Sequence, residues 1–275
     1  MRLQAYIGAA TIGLITWSLL SGSAKGVQPE SAKSSDALFQ QVKARTAEHL
    51  ARMPNYTCHA TIDRILRVRS DFHPLDRVEL EVAFVGQQEL FSRSGEGDKF
   101  GEQPIEKLVS GGTIGNRLMG SHVDLIFNRD LAEFKYSGEG KKGGHRTYRF
   151  DLHVPIEKSG FLVHHNGKSG LAGYDGSVWV DSETLELVQV DIRVNKIPPA
   201  IGVRLIEQSL HYKSLTIGNS EFSLPEHSEL GATDDMGNYS LVRVKLEQCR
   251  EYSADSVVKY GAPAQGTASR ERQDQ

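Results

Sequence analysis

Ten histidines are the first residues in this chain that could do chemistry. His153, His164 and His165 are the nearest set for a metal ion. Neighbouring residues on a strand point to opposite faces, so His164 and His165 cannot share one ion unless the strand bends. The HExxH and paired-cysteine spacings are absent, which leaves solvated or hydrogen-bonded imidazoles as the simpler reading. Ser177, His165 and Asp175 offer the groups of a hydrolase triad, but the G-x-S-x-G elbow is missing, and a chain this long supplies such triplets by chance. The glycine stretches 138–144 and 170–176 lack the strand-to-helix setting and the lysine of a phosphate cradle, and read as turns. No active site and no cofactor are expected.

The two cysteines, Cys58 and Cys249, take their meaning from the start of the chain. The run from Ala5 to Leu20 carries no charge, follows Arg2 and leads into Ser21-Gly22-Ser23-Ala24. This reads as a secretory signal peptide over 1–24, since the run falls short of the about 20 residues of a comfortable bilayer span. Retention as an N-terminal anchor is the alternative. With no cysteine at the cut, attachment of a lipid there is excluded. An exported protein is expected in a periplasm or outside the cell, where an even pair of cysteines reads as a disulfide. Its loop of 191 residues corresponds to about 5 kcal/mol of chain entropy. A free buried thiol pair or a nucleophile are the alternatives, and no CxxC occurs.

Stepping from these residues to the elements that hold them, 32 basic against 35 acidic residues give a net charge of -3, so there is no basic field for nucleic acid. With 39% hydrophobic residues and no repeat, the chain is globular. A polar leader over 25–35 precedes a helix over 36–53, capped by Asp36 and ended by Pro54. Extended patterns follow at 56–68, 77–85 and 88–93, and again at 132–136, 146–154, 161–165, 176–181, 185–195, 203–215, 221–230 and 240–252. Between them, 95–130 reads as a helical insertion, with Pro104 opening the run IEKLV. Residues 139–146, EGKKGGHR, read as a solvated loop that could also meet anionic headgroups. The fold class is mainly β (α+β): one curved antiparallel sheet forming a half-open β-barrel over 36–252, with an N-terminal helix and a helical lid or plug. The tail 253–275 has the composition of a disordered segment.

The stretch 173–189, GYDGSVWVDSETLELVQ, is a strand, a tight turn and a returning strand. With the N-terminal helix, the meander and Leu224-Pro225 entering a later strand, it resembles the periplasmic lipoprotein-carrier superfamily, LolA/LolB-like. NYTC at 55–58 and CREY at 249–252 also resemble exported bacterial proteins of unassigned function. The resemblance implies a half-open barrel with an apolar concave face partly covered by helices, in proteins that bind acyl chains, lipoproteins or other hydrophobic ligands, or act as envelope-stress sensors. The insertion 104–130 is then the natural lid. Ile105, Leu108, Val109, Leu118, Met119, Val123, Leu125, Ile126 and Phe127 either face a cavity or form the plug of an ordinary core, and Trp179 either binds or packs. Dedicated carriers imply a basic residue on an early strand facing the cavity, for which Arg64, Arg67 and Arg69 are available. The expected function is a monomeric, exported, non-enzymatic binding protein for a lipid, acyl chain or lipoprotein. The alternative is an envelope sensor or scaffold that binds another protein through its sheet.

Overall fold

The computed structural model describes residues 30–252 apart from 87, 96–99, 102, 110–112, 116–117, 119–122, 124–125 and 128–131. The expected signal peptide, residues 25–29 of the leader and the tail 253–275 lie outside the described residues, as do Met119 and Leu125 of the insertion.

Helix α1, Glu30–Arg52, starts six residues before Asp36 and takes up the second half of the polar leader. Leu38, Phe39, Val42, Thr46, His49 and Leu50 recur every three or four positions, which puts them on one face. That face packs on the sheet: the Phe39 ring lies 4.5 Å from Phe134 and 5.6 Å from Phe150. Pro54 stops the helix, because a residue before proline is pushed out of the helical region.

From there the chain is extended: β1 Tyr56–Val68, β2 Asp71–Val85, β3 Gln88–Arg93, a helical turn α2 Ile105–Leu108, then β4 Glu133–Lys142 and β5 His145–Val154. These are followed by β6 Leu162–His165, β7 Lys168–Leu171, β8 Gly173–Asp181, β9 Leu187–Lys196, β10 Val203–Ile217, β11 Ser220–Asp234 and β12 Tyr239–Glu251. Ten strands form one antiparallel sheet in the order β3-β2-β1-β12-β11-β10-β9-β8-β5-β4, and β6 and β7 form a separate hairpin. The sheet is not closed, since β3 and β4 are its two edges. This is the half-open barrel that the pattern predicts.

Two glycine stretches read as turns are strands instead. Residues 138–142 extend β4, with a register shift between Tyr136 and Gly138, and Gly138 takes a φ of 112° that side chains rarely adopt. The supposed loop 139–146 is therefore mostly a paired hairpin, turning only at Gly143-Gly144. Likewise 168–171 is β7, paired to β6.

Alternation assigns the two faces of the sheet. Phe150, Leu152 and Val154 on β5, Val178 and Val180 on β8, and Val190, Ile192 and Val194 on β9 point to the concave side and meet α1 with Ile126 and Phe127. A second buried cluster gathers Cys58, Ala60 and Ile62 of β1, Leu80 and Val82 of β2 and Val242, Val244 and Leu246 of β12 against Ile105, Val109 and Leu118. The convex side carries cross-strand ion pairs such as Arg77–Asp63 at 2.6 Å and Arg243–Glu229 at 2.8 Å. Being exposed, each is worth about 0–1 kcal/mol, so they set solubility and register more than stability.

Cys58 and Cys249 form a disulfide. It joins β1 to β12, the first and last strands of the fold, which are neighbours in the sheet. The ladder shifts register between Thr57 and His59, and Gln248 has a φ of 54°. This bulge turns Cys249 toward Cys58, which is fully buried.

Candidate functional site

Three connections gather at one end of the sheet: the β1–β2 turn, the β11–β12 turn and the β6–β7 hairpin. The hairpin leans over the 3-10 turn Pro199–Ile201, where a Cβ on Gly170 would lie 2.9 Å from the Ile201 side chain. We call this the mouth end. At the opposite, closed end, α1 terminates over Tyr56, Phe84 and Leu224, leaving a small enclosed void of about 40 Å³.

At the mouth end the concave face is not filled, and a cavity of about 680 Å³ opens there. This lies inside the about 300–1,000 Å³ range of pockets that enclose small ligands. The sheet contributes Val203, Ile206, Leu230, Ala232 and Val242 to its wall, the β6–β7 side contributes Phe161 and Val163, and the insertion contributes Thr113 and Ile114. Hydrogen bonds fix the insertion to the sheet: Thr113 Oγ1 lies 2.6 Å from Ser240 Oγ, the Leu118 N–H donates to Glu89 Oε2 at 2.6 Å, and Arg93 Nη2 donates to the Leu108 carbonyl at 3.1 Å. Burial of the Tyr174 phenol in the same wall pushes its pKa up to about 12, so it is a neutral hydroxyl at physiological pH.

Polar groups share this wall with the apolar ones, among them Arg64, Glu106, Thr113, Gln208, Asp234 and Asn238. Arg64 follows Cys58, Ala60 and Ile62 on the inward side of β1 and is only 2% exposed. Its Nε donates to Asp76 Oδ1 at 2.6 Å, and its Nη2 donates to the other carboxylate oxygen. This bidentate pairing holds the Asp76 carboxyl below the usual carboxylate range. Gln208 of β10, 5% exposed, is a second buried polar group in the wall, and His164, His165 and Asn166 stand at the hairpin rim.

The residues singled out in the sequence fall in three places. Ile105, Val109 and Leu118 are buried in the cluster under β1, β2 and β12, with Leu108 partly buried beside them. Val123, Ile126 and Phe127 are buried under α1. They fill the core between insertion and sheet, and the insertion meets the cavity through Glu106, Thr113, Ile114 and Gly115. Trp179 is on the convex face, since Val178 and Val180 take the inward positions. There its ring lies under two cations, Lys142 at 5.0 Å and Arg149 at 5.1 Å, and against Gly140, where a Cβ would approach its ring to 3.2 Å. Trp179 pins the β4–β5 hairpin to β8 and does not reach the cavity.

The hydrolase grouping is not assembled. Ser177 is on the convex face, where it donates to Asp151 at 3.0 Å and accepts from Arg149 at 3.0 Å. Burial works against the Asp151 charge, but donors from Ser137, Ser177 and Arg149 outweigh it and lower its pKa. His165 sits in the β6–β7 hairpin, while Asp175 is bonded to His153 at 2.6 Å. The convex depression that holds these groups, about 860 Å³, is walled largely by charged side chains paired with one another. Among the described residues no three metal-ligating side chains converge.

Arg64 was available to sequence reading through parity with Cys58, and it is the one of the three candidate arginines that lines the cavity. Gln208 and β7 gave no such signal, although the pattern at 161–165 marks β6. A polar residue at an inward position looks like an outward one, and a four-residue strand is too short to show a period.

No family model matches the chain, and a search of curated proteins gives no match. Among solved structures it is similar to a LolA-superfamily protein from Nitrosomonas europaea, at 9% identity and a TM-score of 0.40 over 78% of this chain and 94% of that one. It is also similar to a putative outer membrane lipoprotein-sorting protein domain from Vibrio parahaemolyticus, at 13% identity and 0.40 over 77% and 92%. A DUF1329 family protein from Desulfovibrio piger is similar at 12% identity and 0.44 over 82% and 94%.

Proposed function

We propose that this protein is an exported, non-enzymatic carrier or sensor that holds a lipid or acyl chain in the mouth-end cavity. The observation that carries the reading is the cavity itself, about 680 Å³ walled by apolar and polar side chains together, with one buried guanidinium in it. Each methylene moved from water into such a wall contributes about 0.8 kcal/mol, so a chain of eight or more gives useful affinity with no covalent chemistry. Arg64, already anchored by Asp76, is placed to meet a carbonyl or anionic end of the ligand, and the rim groups at His164 and His165 would orient it. The insertion 104–130 acts as the lid in this reading. Its buried residues Ile105, Val109, Leu118, Ile126 and Phe127, with Leu108 partly buried beside them, hold it against the sheet. The alternative, a scaffold recruiting a protein through its sheet, calls for a filled core, and the unfilled mouth end favours the carrier.

The disulfide fits export, because such bonds persist in oxidising compartments. The test is native mass spectrometry of the protein purified from its own envelope, followed by organic extraction and lipid analysis. A stoichiometric acyl-bearing ligand is the expected result. A clean apo mass, together with no uptake of a fluorescent fatty acid by the purified protein, would sink the proposal.

A further inference from the structure

Seven large hydrophobic side chains are exposed among the described residues, and all seven are at the mouth end. Val68, Phe72 and Leu75 flank the β1–β2 turn, and Met236 is the tip of the β11–β12 turn. Leu162 and Leu171 face each other across the β6–β7 hairpin, and Ile156 follows the end of β5, next to Gly173 at the start of β8. Phe72 is 59% and Met236 77% exposed. The closed end contributes none of the seven. Its connections are the β4–β5 turn with Lys141 and Lys142, the β8–β9 turn with Glu183 and the β10–β11 turn at Gly218. Scattered exposed hydrophobics need no explanation, but their segregation to one end does.

From this segregation we infer that the mouth end docks on a lipid bilayer, with Phe72, Leu75 and Met236 entering the interface. Two further observations favour a bilayer over a protein partner. Leu75 and Leu162 belong both to the exposed set and to the cavity wall, so the exposed apolar rim borders the cavity. A chain leaving a bilayer at this rim meets apolar side chains at the edge of the cavity. Secondly, the charges there have both signs, Arg69 and Lys168 with Asp71 and Asp235, so the contact is apolar and a zwitterionic surface suffices.

This goes beyond the carrier proposal and uses residues, Phe72 and Met236, that do not line the cavity. Tryptophan is placed at one exposed site per protein, Phe72→Trp at the mouth end and Lys141→Trp at the closed end. Each is made in the processed protein, mixed with vesicles of brominated phosphatidylcholine and read against the unsubstituted protein, which supplies the baseline for Trp179. Quenching at position 72 of at least twofold beyond baseline, with none at 141, is the expected result. The double variant Phe72→Ser/Met236→Ser should partition onto the same vesicles about tenfold less or weaker still, with its extractable ligand per chain unchanged. No added quenching at 72, equal quenching at both positions, or a dimer in solution that the double variant dissolves would each overturn the inference. Docking by a protein that proves to carry no ligand would defeat the carrier proposal and leave this one standing.

Discussion

Followed from the closed end to the mouth end, the inward positions of β1 read Cys58, Ala60 and Ile62, all fully buried, and then Arg64. On β10, running the other way, the closed-end position is Leu210 and its inward neighbour toward the mouth is Gln208. On β12 the inward series Leu246, Val244, Val242 gives way to Ser240, which is tied to Thr113 of the insertion. One sheet thus has two ends of different character, made by a change of residue type two positions along the same strands. Apolar side chains at the closed end interdigitate with α1 and leave a void of about 40 Å³, whereas the mouth end keeps about 680 Å³. A buried polar group is tolerated only with a partner, so Arg64 arrives with Asp76. The difference teaches that the closed end carries the stability and the mouth end carries the proposed site.

The largest expected effect is at the closed end. Replacing both Cys58 and Cys249 by Ala should cost about 2–5 kcal/mol in urea unfolding, the usual loss for a native disulfide. A loss below about 1 kcal/mol would mean that the β1–β12 ladder alone closes the fold. Next, Ile62→Ala removes a fully buried side chain and should cost about 2–5 kcal/mol. A value near zero there would erase the contrast between the two ends.

Arg64→Met tests the other end, two residues away on the same face. Asp76 is 35% exposed and can recover water when its partner is removed, so the stability cost should be about 1–3 kcal/mol. On a domain of this size that is a fall in Tm of about 2–12 °C. Ligand recovered by organic extraction should fall by more than half. A variant equally destabilised but still fully loaded would make Arg64 a structural residue and confine the site to the apolar wall.

The architecture was largely legible in the sequence, for a physical reason. Alternation on β1, β8, β9 and β12 survives because one face meets α1 or the insertion and the other meets water. Legibility failed where that rule relaxes. At the mouth end polar residues occupy inward positions, so Gln208 looks like a surface residue. Gly138 and Gly140 read as turn residues, yet one makes a bulge and the other leaves room for the Trp179 ring. Trp179, whose size leaves binding and packing open, falls on the face opposite the cavity, as the parity of its valine neighbours implies. Similarly, apolar residues of the insertion could be seen as buried partners of something. Only the structure separates Ile105 and Phe127, which pack, from Ile114, which lines the cavity.

The smallest expected effect concerns the imidazole that the closed end buries. His49 is 8% exposed, faces Phe222, and lies against Thr46, Tyr212 and Ser223 around the small void, with Glu186, Arg45 and Arg52 near enough to act on its charge. Its Nε2 and the Tyr212 hydroxyl are buried without protein partners, and the void is large enough for a water between them. Burial lowers the His49 pKa below 6.5, against the attraction of Glu186. A folded-state pKa below the unfolded one means that the unfolded chain takes up the proton first. The contribution of His49 is therefore fully present above pH 6.5 and is lost as pH falls below it. Unfolding free energy measured in urea at pH 7.5 and pH 5.5 should drop on acidification, and His49→Gln, which keeps a polar group without the titration, should lower the value at pH 7.5 and flatten that drop. Because Asp76 titrates below the usual carboxylate range, its pairing with Arg64 stays charged over the same interval, so a His164→Gln/His165→Gln variant, which keeps that pair as the charged anchor, should retain its ligand while the closed end weakens. A variant that sheds its ligand between pH 7.5 and 5.5 without losing stability would reverse the assignment of the two ends.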